Sequence, residues 1–180
     1  EYSQPNTHKE FHVGHGRNVC LGDSITRLYK YLGYETIGAN YIGDEGTHIA
    51  KCLFAVRRHV NEMPIENRAE WLGTMYVKSN KLLKEATDEE KIVYEKELSE
   101  ILAAIESKSG ETFSLWKDTR QDCLNDFNKI YQWLDVHFDH FFYESEVSEP
   151  AQKIVKSYMD KEVFYEDNGA IGIDMKDQKL

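Results

Sequence analysis

Pro5-Asn6-Thr7-His8-Lys9-Glu10-Phe11-His12-Val13-Gly14-His15 decides how the remainder of this 180-residue chain is read. Before it stands Glu1-Tyr2-Ser3, read as the end of a strand; after it come Leu21, Ile25, Leu28 and Leu32 at helical spacing. A strand, a glycine-containing loop and a helix in that order point free backbone N–H groups at an anion. Lys9 adds a point positive charge, and His12 and His15 offer ring N–H donors. Gly14 between them has no Cβ, so a flat ligand such as a nucleobase or ribose can lie against the backbone. Many donors with no evident nucleophile or base suit phosphoryl or nucleotidyl transfer, where stabilising charge on phosphate does most of the work. The same spacing also fits a zinc pair completed by His8 or His48, or two ordinary surface histidines beside a helix start.

Outward from this stretch, a first helix is predicted from about Gly14 to Leu32, with Gly33 placed for a left-handed C-cap. Thr36 to Ile42 reads as a second strand, parallel to the first through a strand–helix–strand unit. Gly43-Asp44-Glu45-Gly46 is a loop, and Ile49, Leu53, Val56 and Val60 then recur at helical spacing. Residues 1–62 therefore read as the first part of an α/β, Rossmann-like nucleotide-binding fold. From Met63 to about Leu134 the pattern turns helical, with Pro64 at the break. Thr87-Asp88-Glu89-Glu90 is a capping-box sequence, the stripe Tyr94, Leu98, Ile101, Ile105 follows, and Gly110 is expected to close that helix. Trp116, Arg120, Cys123, Phe127, Ile130 and Leu134 form another stripe, whose aromatics read as core. Residues 63–135 are thus a largely helical insertion, and its acidic run between Glu85 and Glu111 reads as a solvated face.

Val136 to Phe142 reads as a strand, with Tyr143-Glu144-Ser145-Glu146 at its C-terminal end, where ligands collect in open α/β sheets. Ser148-Glu149-Pro150 is expected to start a helix, with proline in the permitted first turn. A hairpin runs from Val163-Phe164-Tyr165 through Asp167-Asn168-Gly169 to Ile171-Gly172-Ile173. Residues 136–180 therefore read as a return to the nucleotide-binding domain, which stops before its second half.

The composition bounds the function. At 41% hydrophobic the chain has the material for a real core, and it holds no run of 18 apolar residues that would predict a membrane span. Cys20, Cys52 and Cys123 are odd in number and far apart, which fits reduced thiols in a cytoplasmic protein better than a disulfide frame or zinc cluster. With 22 Lys and Arg against 32 Asp and Glu, the formal charge of −10 predicts weak RNA binding by this chain alone. It opens inside a motif without an initiator methionine, as a piece of a longer protein does.

Four blocks in order carry a family resemblance. Glu1-Tyr2-Ser3-Gln4-Pro5-Asn6 through His15 resembles the first motif region of arginyl-tRNA synthetases, which are class I aminoacyl-tRNA synthetases, with His12 to His15 as the HIGH motif. Asn40-Tyr41-Ile42-Gly43-Asp44-Glu45-Gly46-Thr47 resembles the next block. Phe138-Asp139 with Tyr143-Glu144-Ser145 resembles a third, and Tyr165-Glu166-Asp167-Asn168-Gly169-Ala170 a fourth. The helical segment resembles the connective peptide inserted between the two halves of the class I catalytic fold.

The resemblance implies an arginine–tRNA ligase as the parent, using ATP with Mg2+ to form arginyl-adenylate and then charging tRNA(Arg). It implies that Asn6 holds the α-amino or carboxylate end of arginine, with Gln4 contacting the amino group where many members have serine. His12, Gly14 and His15 contact ATP; His12 and His15 stabilise the transition state, with Lys9 adding charge. Glu144 accepts hydrogen bonds from the substrate guanidinium, which a carboxylate can do bidentately. No protein-held metal is expected, and the chain alone is expected to be inactive. Gly16-Arg17-Asn18 replaces the commoner Leu-Arg-Ser, and Glu45 stands in place of tryptophan. The rival readings are another HxGH-type nucleotidyltransferase, disfavoured by Glu144 and the long insertion, and a non-catalytic synthetase-like binding module, disfavoured by intact Asn6, Lys9, His12 and His15.

Overall fold

The computed structural model describes residues 1–159, 164–167 and 170–173. The described chain is mostly helical with a small parallel sheet, and it divides into two compact units, Glu1–Tyr143 and Glu144–Leu180.

In the first unit, α1 (Val13–Tyr31) leads to β1 (Ala39–Ile42), and α2 (Thr47–Arg58) follows. Three further helices, α3 (Arg68–Glu85), α4 (Asp88–Glu106) and α5 (Gly110–Trp133), lead to β2 (His140–Tyr143). β1 and β2 pair in parallel, from Ala39 opposite His140 to Ile42 opposite Tyr143. A strand has two edges, and the opening residues take the other one. Tyr2 N–H donates to Ala39 O at 3.1 Å, Gly43 N–H to Pro5 O at 3.1 Å, and Thr7 N–H to Gly43 O at 3.0 Å. The predicted opening strand is thus reduced to a parallel bridge between Asn6 and Gly43, and the predicted second strand to its last four residues.

α2 is the centre of this unit. Ile49, Leu53 and Phe54 pack with Ile101, Ile105 and Trp116 on one side. Cys52 and Val56 pack with Leu72, Met75, Cys123 and Phe127 on the other. A helix buried on nearly all sides must carry small or apolar residues around its circumference, as Ile49-Ala50 and Cys52 to Val56 do. The predicted stripes of α4 and α5 supply its partners. Thr87 caps α4 as expected: its hydroxyl accepts from Glu90 N–H at 3.3 Å, while Thr87 N–H donates to the Glu90 carboxylate at 2.8 Å.

Two local expectations are corrected. Gly110 does not close α4: Ser107 is its C-cap, Lys108 takes a left-handed φ of 52°, and Gly110, at φ 82°, opens α5. The row Leu21, Ile25, Leu28, Leu32 is helical, as its spacing predicts, and is 47–61% exposed; the buried residues of α1 are His15 and Val19. In the second unit, α6 (Glu144–Ser157) starts at Glu144 and not near Ser148, so Pro150 lies inside it. Carboxylates at Glu144 and Glu146 favour a helix start there. Pro150, which has no N–H, gives up only the bond to the carbonyl four residues back.

The second unit also holds β3 (Tyr165–Asp167) and β4 (Ala170–Gly172), paired antiparallel as the predicted hairpin. Its turn, Asn168-Gly169, lies outside the described residues, as do Asp160–Val163. No described helix is long and apolar enough to cross a membrane.

Candidate active site

The histidine motif forms the N-terminus of α1, and its two imidazoles cap the helix. His12 is the N-cap residue; its Nδ1 accepts from Gly14 N–H at 3.1 Å, and His12 N–H donates to His15 Nδ1 at 3.3 Å. This is a capping box with imidazole nitrogens in place of the usual hydroxyl and carboxylate. Both Nδ1 atoms act as acceptors, so in the neutral rings the proton sits on Nε2, where each ring has a donor to offer. The rings stack at 3.9 Å between centroids and 17° between planes. His12 is exposed and His15 is buried against Phe11, 5.2 Å away. Burial, then the neighbouring His12 and Lys9, push the His15 pKa below the usual histidine range.

Gly14 has a use that the sequence did not reveal. A Cβ there would lie 2.9 Å from His12 Cε1, so the missing side chain makes room for the His12 ring itself. Lys9 is half-buried, its Nζ 5.2 Å from the Tyr76 ring centroid. It lies close enough to His15 and His48 to lower both their pKa values, that of His48 to about 4, with burial the larger cause in each. A cleft of about 280 Å³ opens beside Lys9, Glu10 and Phe11, bordered by Cys123, Phe127 and Ala69.

The structure brings Gln4, Asn6, Lys9, His12, Gly14 and His15 onto one loop and helix start. Gln4, exposed and at φ 53°, donates its N–H to Asn40 Oδ1 at 3.2 Å and its side-chain amide to Glu1 at 2.5 Å. Asn6 is half-buried at its bridge to Gly43. Glu144 is half-buried at the first position of α6, in the second compact unit. Asp44 is fully buried: its carboxylate takes Arg120 Nε at 2.6 Å, and its carbonyl takes the Trp116 indole N–H at 2.9 Å. Gly46, at φ 104°, is the N-cap of α2.

Sequence reasoning missed the residues that hold this loop from behind, and nearly all of them lie on α5. Tyr131 Oη is 2.8 Å from Ser3 Oγ and accepts from Asn40 Nδ2 at 3.0 Å. Thr119 and Cys123 meet His8, and the Arg120 guanidinium also lies 4.3 Å over the Tyr143 ring. Arg120, the one charged residue in the predicted apolar stripe, is the only signal, and Thr119 and Tyr131 stand outside that stripe. His8 is buried with both ring nitrogens hydrogen-bonded to threonine hydroxyls, an arrangement with no lone pair left for zinc. Among the described residues no three His, Cys, Asp or Glu side chains gather to hold a metal, and the three cysteines are free.

The family described as "tRNA synthetases class I (R), catalytic domain" matches residues 1–179. An arginine–tRNA ligase of Bdellovibrio bacteriovorus is 44% identical over all of this chain and 31% of its own length. One of Fusobacterium nucleatum is 34% identical over 94% of this chain and 29% of its own. In fold, the chain is similar to the crystal structure of arginyl-tRNA synthetase from Plasmodium falciparum, with a TM-score of 0.70 at 23% identity over 99% of this chain and 29% of that one. The chain thus spans about a third of the length of the curated relatives it matches. With nearly its whole length matched to one domain, the chain belongs to the class I arginyl-tRNA synthetase catalytic-domain family.

Proposed function

We propose that this chain is the HIGH-motif part of the catalytic domain of an arginine–tRNA ligase, a Rossmann-like half-fold of residues 1–62 and 136–180 carrying a helical connective insertion at 63–135. The observation that carries this reading is the His12–His15 stack on the N-terminus of α1, with Lys9 beside it. Two Nε2 donors and a lysine lie beside a helix N-terminus, and such a donor set would stabilise a phosphate as it gains charge.

In the reaction, the carboxylate of arginine attacks the α-phosphorus of ATP and pyrophosphate leaves; a 3′-terminal hydroxyl of tRNA(Arg) then takes the aminoacyl group from the adenylate, and AMP leaves. Asn6 and Gln4 orient the amino-acid end of arginine. His12, Gly14 and His15 bind ATP, and His12, His15 and Lys9 carry the developing charge. Glu144 accepts from the guanidinium. Mg2+ would travel with the ATP phosphates, because no three carboxylate, imidazole or thiol side chains gather among the described residues to hold it. The formal charge of −10 fits a cationic amino acid better than an RNA backbone. The contacts that grip tRNA therefore belong to other parts of the complete polypeptide, a translation enzyme of the cytoplasm.

The test is arginine-dependent exchange of pyrophosphate into ATP by the complete polypeptide with tRNA(Arg) present. Exchange specific for arginine over lysine and citrulline, reduced at least a hundredfold in His15→Ala and tenfold in Lys9→Ala, supports the reading. Glu144→Gln tests the guanidinium role: arginine binding should weaken while ATP binding holds. Exchange with another carboxylic acid, or none with arginine, would favour a different HxGH nucleotidyltransferase or a binding module.

A further inference from the structure

The loop that carries Asn6 and Lys9 holds three non-glycine residues at left-handed φ: Ser3 at 74°, Gln4 at 53° and His8 at 60°. L-residues disfavour that region, so something outside the loop must hold them there. His8 is fully buried and is gripped at three points. Its Nε2 lies 2.9 Å from Thr119 Oγ1, its Nδ1 lies 3.0 Å from Thr7 Oγ1, and its backbone N–H donates to Cys123 Sγ at 3.2 Å.

The protons can be placed. The Thr119 hydroxyl has one hydrogen, which it donates to Leu115 O at 2.7 Å. Its oxygen therefore accepts from His8, and the His8 proton sits on Nε2. Nδ1 is then an acceptor and takes the Thr7 hydroxyl hydrogen at 3.0 Å, nearer than the alternative acceptor Gly43 O at 3.5 Å. The chain Thr7 to His8 to Thr119 to Leu115 runs in one direction and satisfies both ring nitrogens, which is what lets an imidazole sit fully buried. Thr119 is flanked on α5 by Trp116 and Arg120, which hold Asp44. One helix of the insertion thus grips both loops at the ends of the parallel pairing.

We propose that His8 is a positioning residue of the active site: through Thr119 its imidazole ties the substrate loop to α5, so that the helical insertion sets where Asn6 and Lys9 stand. The proposal rests on the functional reading above for the roles of Asn6 and Lys9. It differs from plain core packing in needing the hydroxyl of Thr119 and not its shape.

Three variants of the complete polypeptide separate the two. Thr119→Val keeps the shape and removes the acceptor; Thr119→Ser keeps the acceptor and removes a methyl. His8→Asn tolerates the left-handed backbone but is too short to reach Thr119. Below the melting temperature, Thr119→Val should lower kcat for arginine-dependent pyrophosphate exchange tenfold or more, with KM for ATP within threefold. Thr119→Ser should stay within twofold of the parent, and His8→Asn combined with Thr119→Val should be no worse than the more damaging single change. Nitrogen NMR of the parent should report the Nε2-protonated tautomer at His8.

Parental kcat in Thr119→Val or His8→Asn, whichever folds, overturns the proposal; so does Thr119→Ser failing as badly as Thr119→Val. If the parent shows no arginine-dependent exchange, the functional reading fails. The positioning is then judged by the acetylation rate of Lys9: a change of threefold or more in Thr119→Val upholds it, and an unchanged rate overturns it.

Discussion

At the scale of single residues, His12 and His15 each use Nδ1 to cap α1, which leaves the proton of each neutral ring on Nε2. The geometry depends on Gly14, whose α-hydrogens leave the space that the His12 ring occupies. Gly14→Ala should therefore separate stability from activity. Alanine favours a helix by up to about 1 kcal/mol over glycine, so the melting temperature should hold or rise. The displaced His12 ring should cost at least tenfold in pyrophosphate exchange; parental exchange in a folded Gly14→Ala protein would refute the cap geometry. The buried His8 makes a second prediction, in pH. Burial first, then His48 and Arg120, lower its pKa to about 3, against 6.5 for an exposed histidine. Below pH 6.5 the unfolded chain takes up a proton that the folded one refuses until about pH 3. Stability is therefore full above 6.5 and falls through that window, by at most about 1.4 kcal/mol per pH unit for one group. His48, lowered to about 4, adds to the slope. Denaturant titrations between pH 7 and 5 should show a shallower fall for His8→Asn, and equal slopes would contradict the buried neutral ring. The motif histidines were legible in the sequence because they are close together in the chain. The role of His8 was not, because Thr119, its partner, lies 111 residues away.

At the scale of elements, α5 does two jobs with one set of residues. Its apolar positions, Cys123, Leu124 and Phe127, fill the core beside α2, and its polar ones, Thr119, Arg120 and Tyr131, reach the loops of the site. The stripe from Trp116 to Leu134 was legible as a helix with a buried side, because periodicity reports burial directly. It could not report that the half-buried Arg120 pairs with a buried carboxylate, since Asp44 stands 76 residues earlier in the chain. Arg120→Met would keep the bulk of the side chain and strip the guanidinium from a fully buried carboxylate, at a cost of about 3 kcal/mol. Arg120→Lys should recover only part of this, because an ammonium cannot both pair with Asp44 and lie flat over Tyr143. Thermal melts of the two variants decide it: a melting temperature unchanged in Arg120→Met would remove the clamp from this account. Local signals were read well where both partners fall within one turn, as at the Thr87–Glu90 box. They misled at Gly110 and Pro150. A left-handed Lys108 came first in one case, and in the other a pair of glutamates allowed a helix to start six residues before its proline.

At the scale of the molecule, the first unit leaves an apolar row at helical spacing uncovered. Leu21, Ile25, Leu28 and Leu32 line one side of α1 and are each about half exposed, and Phe141 and Phe142 on β2 are 37% and 46% exposed. Strands of parallel sheets are ordinarily covered on both faces, and a row of leucines at helical spacing ordinarily faces a core. The spacing was legible; which side of α1 this chain buries was not, because Tyr2 claims it. The Tyr2 ring fits against Gly22, where a Cβ would fall 2.2 Å from Tyr2 Cγ, and this draws the Gly22 side of the helix inward and leaves the leucine row outside. Leu28→Glu tests whether that row is free. In the 180-residue chain it should change stability by no more than about 0.5 kcal/mol, as surface substitutions do, and it should reduce self-association in sedimentation. In the complete polypeptide, if additional structure packs on α1, the same change should cost about 2 to 5 kcal/mol, the penalty for losing a buried leucine. The pair of melts has three readable outcomes. A small cost in the short chain and a large one in the long chain identifies the α1 row as an internal packing face of the whole enzyme. A small cost in both leaves the row a true surface. A large cost already in the short chain means that α1 is covered in solution by a second copy, which the sedimentation profile would show as a dimer lost on mutation.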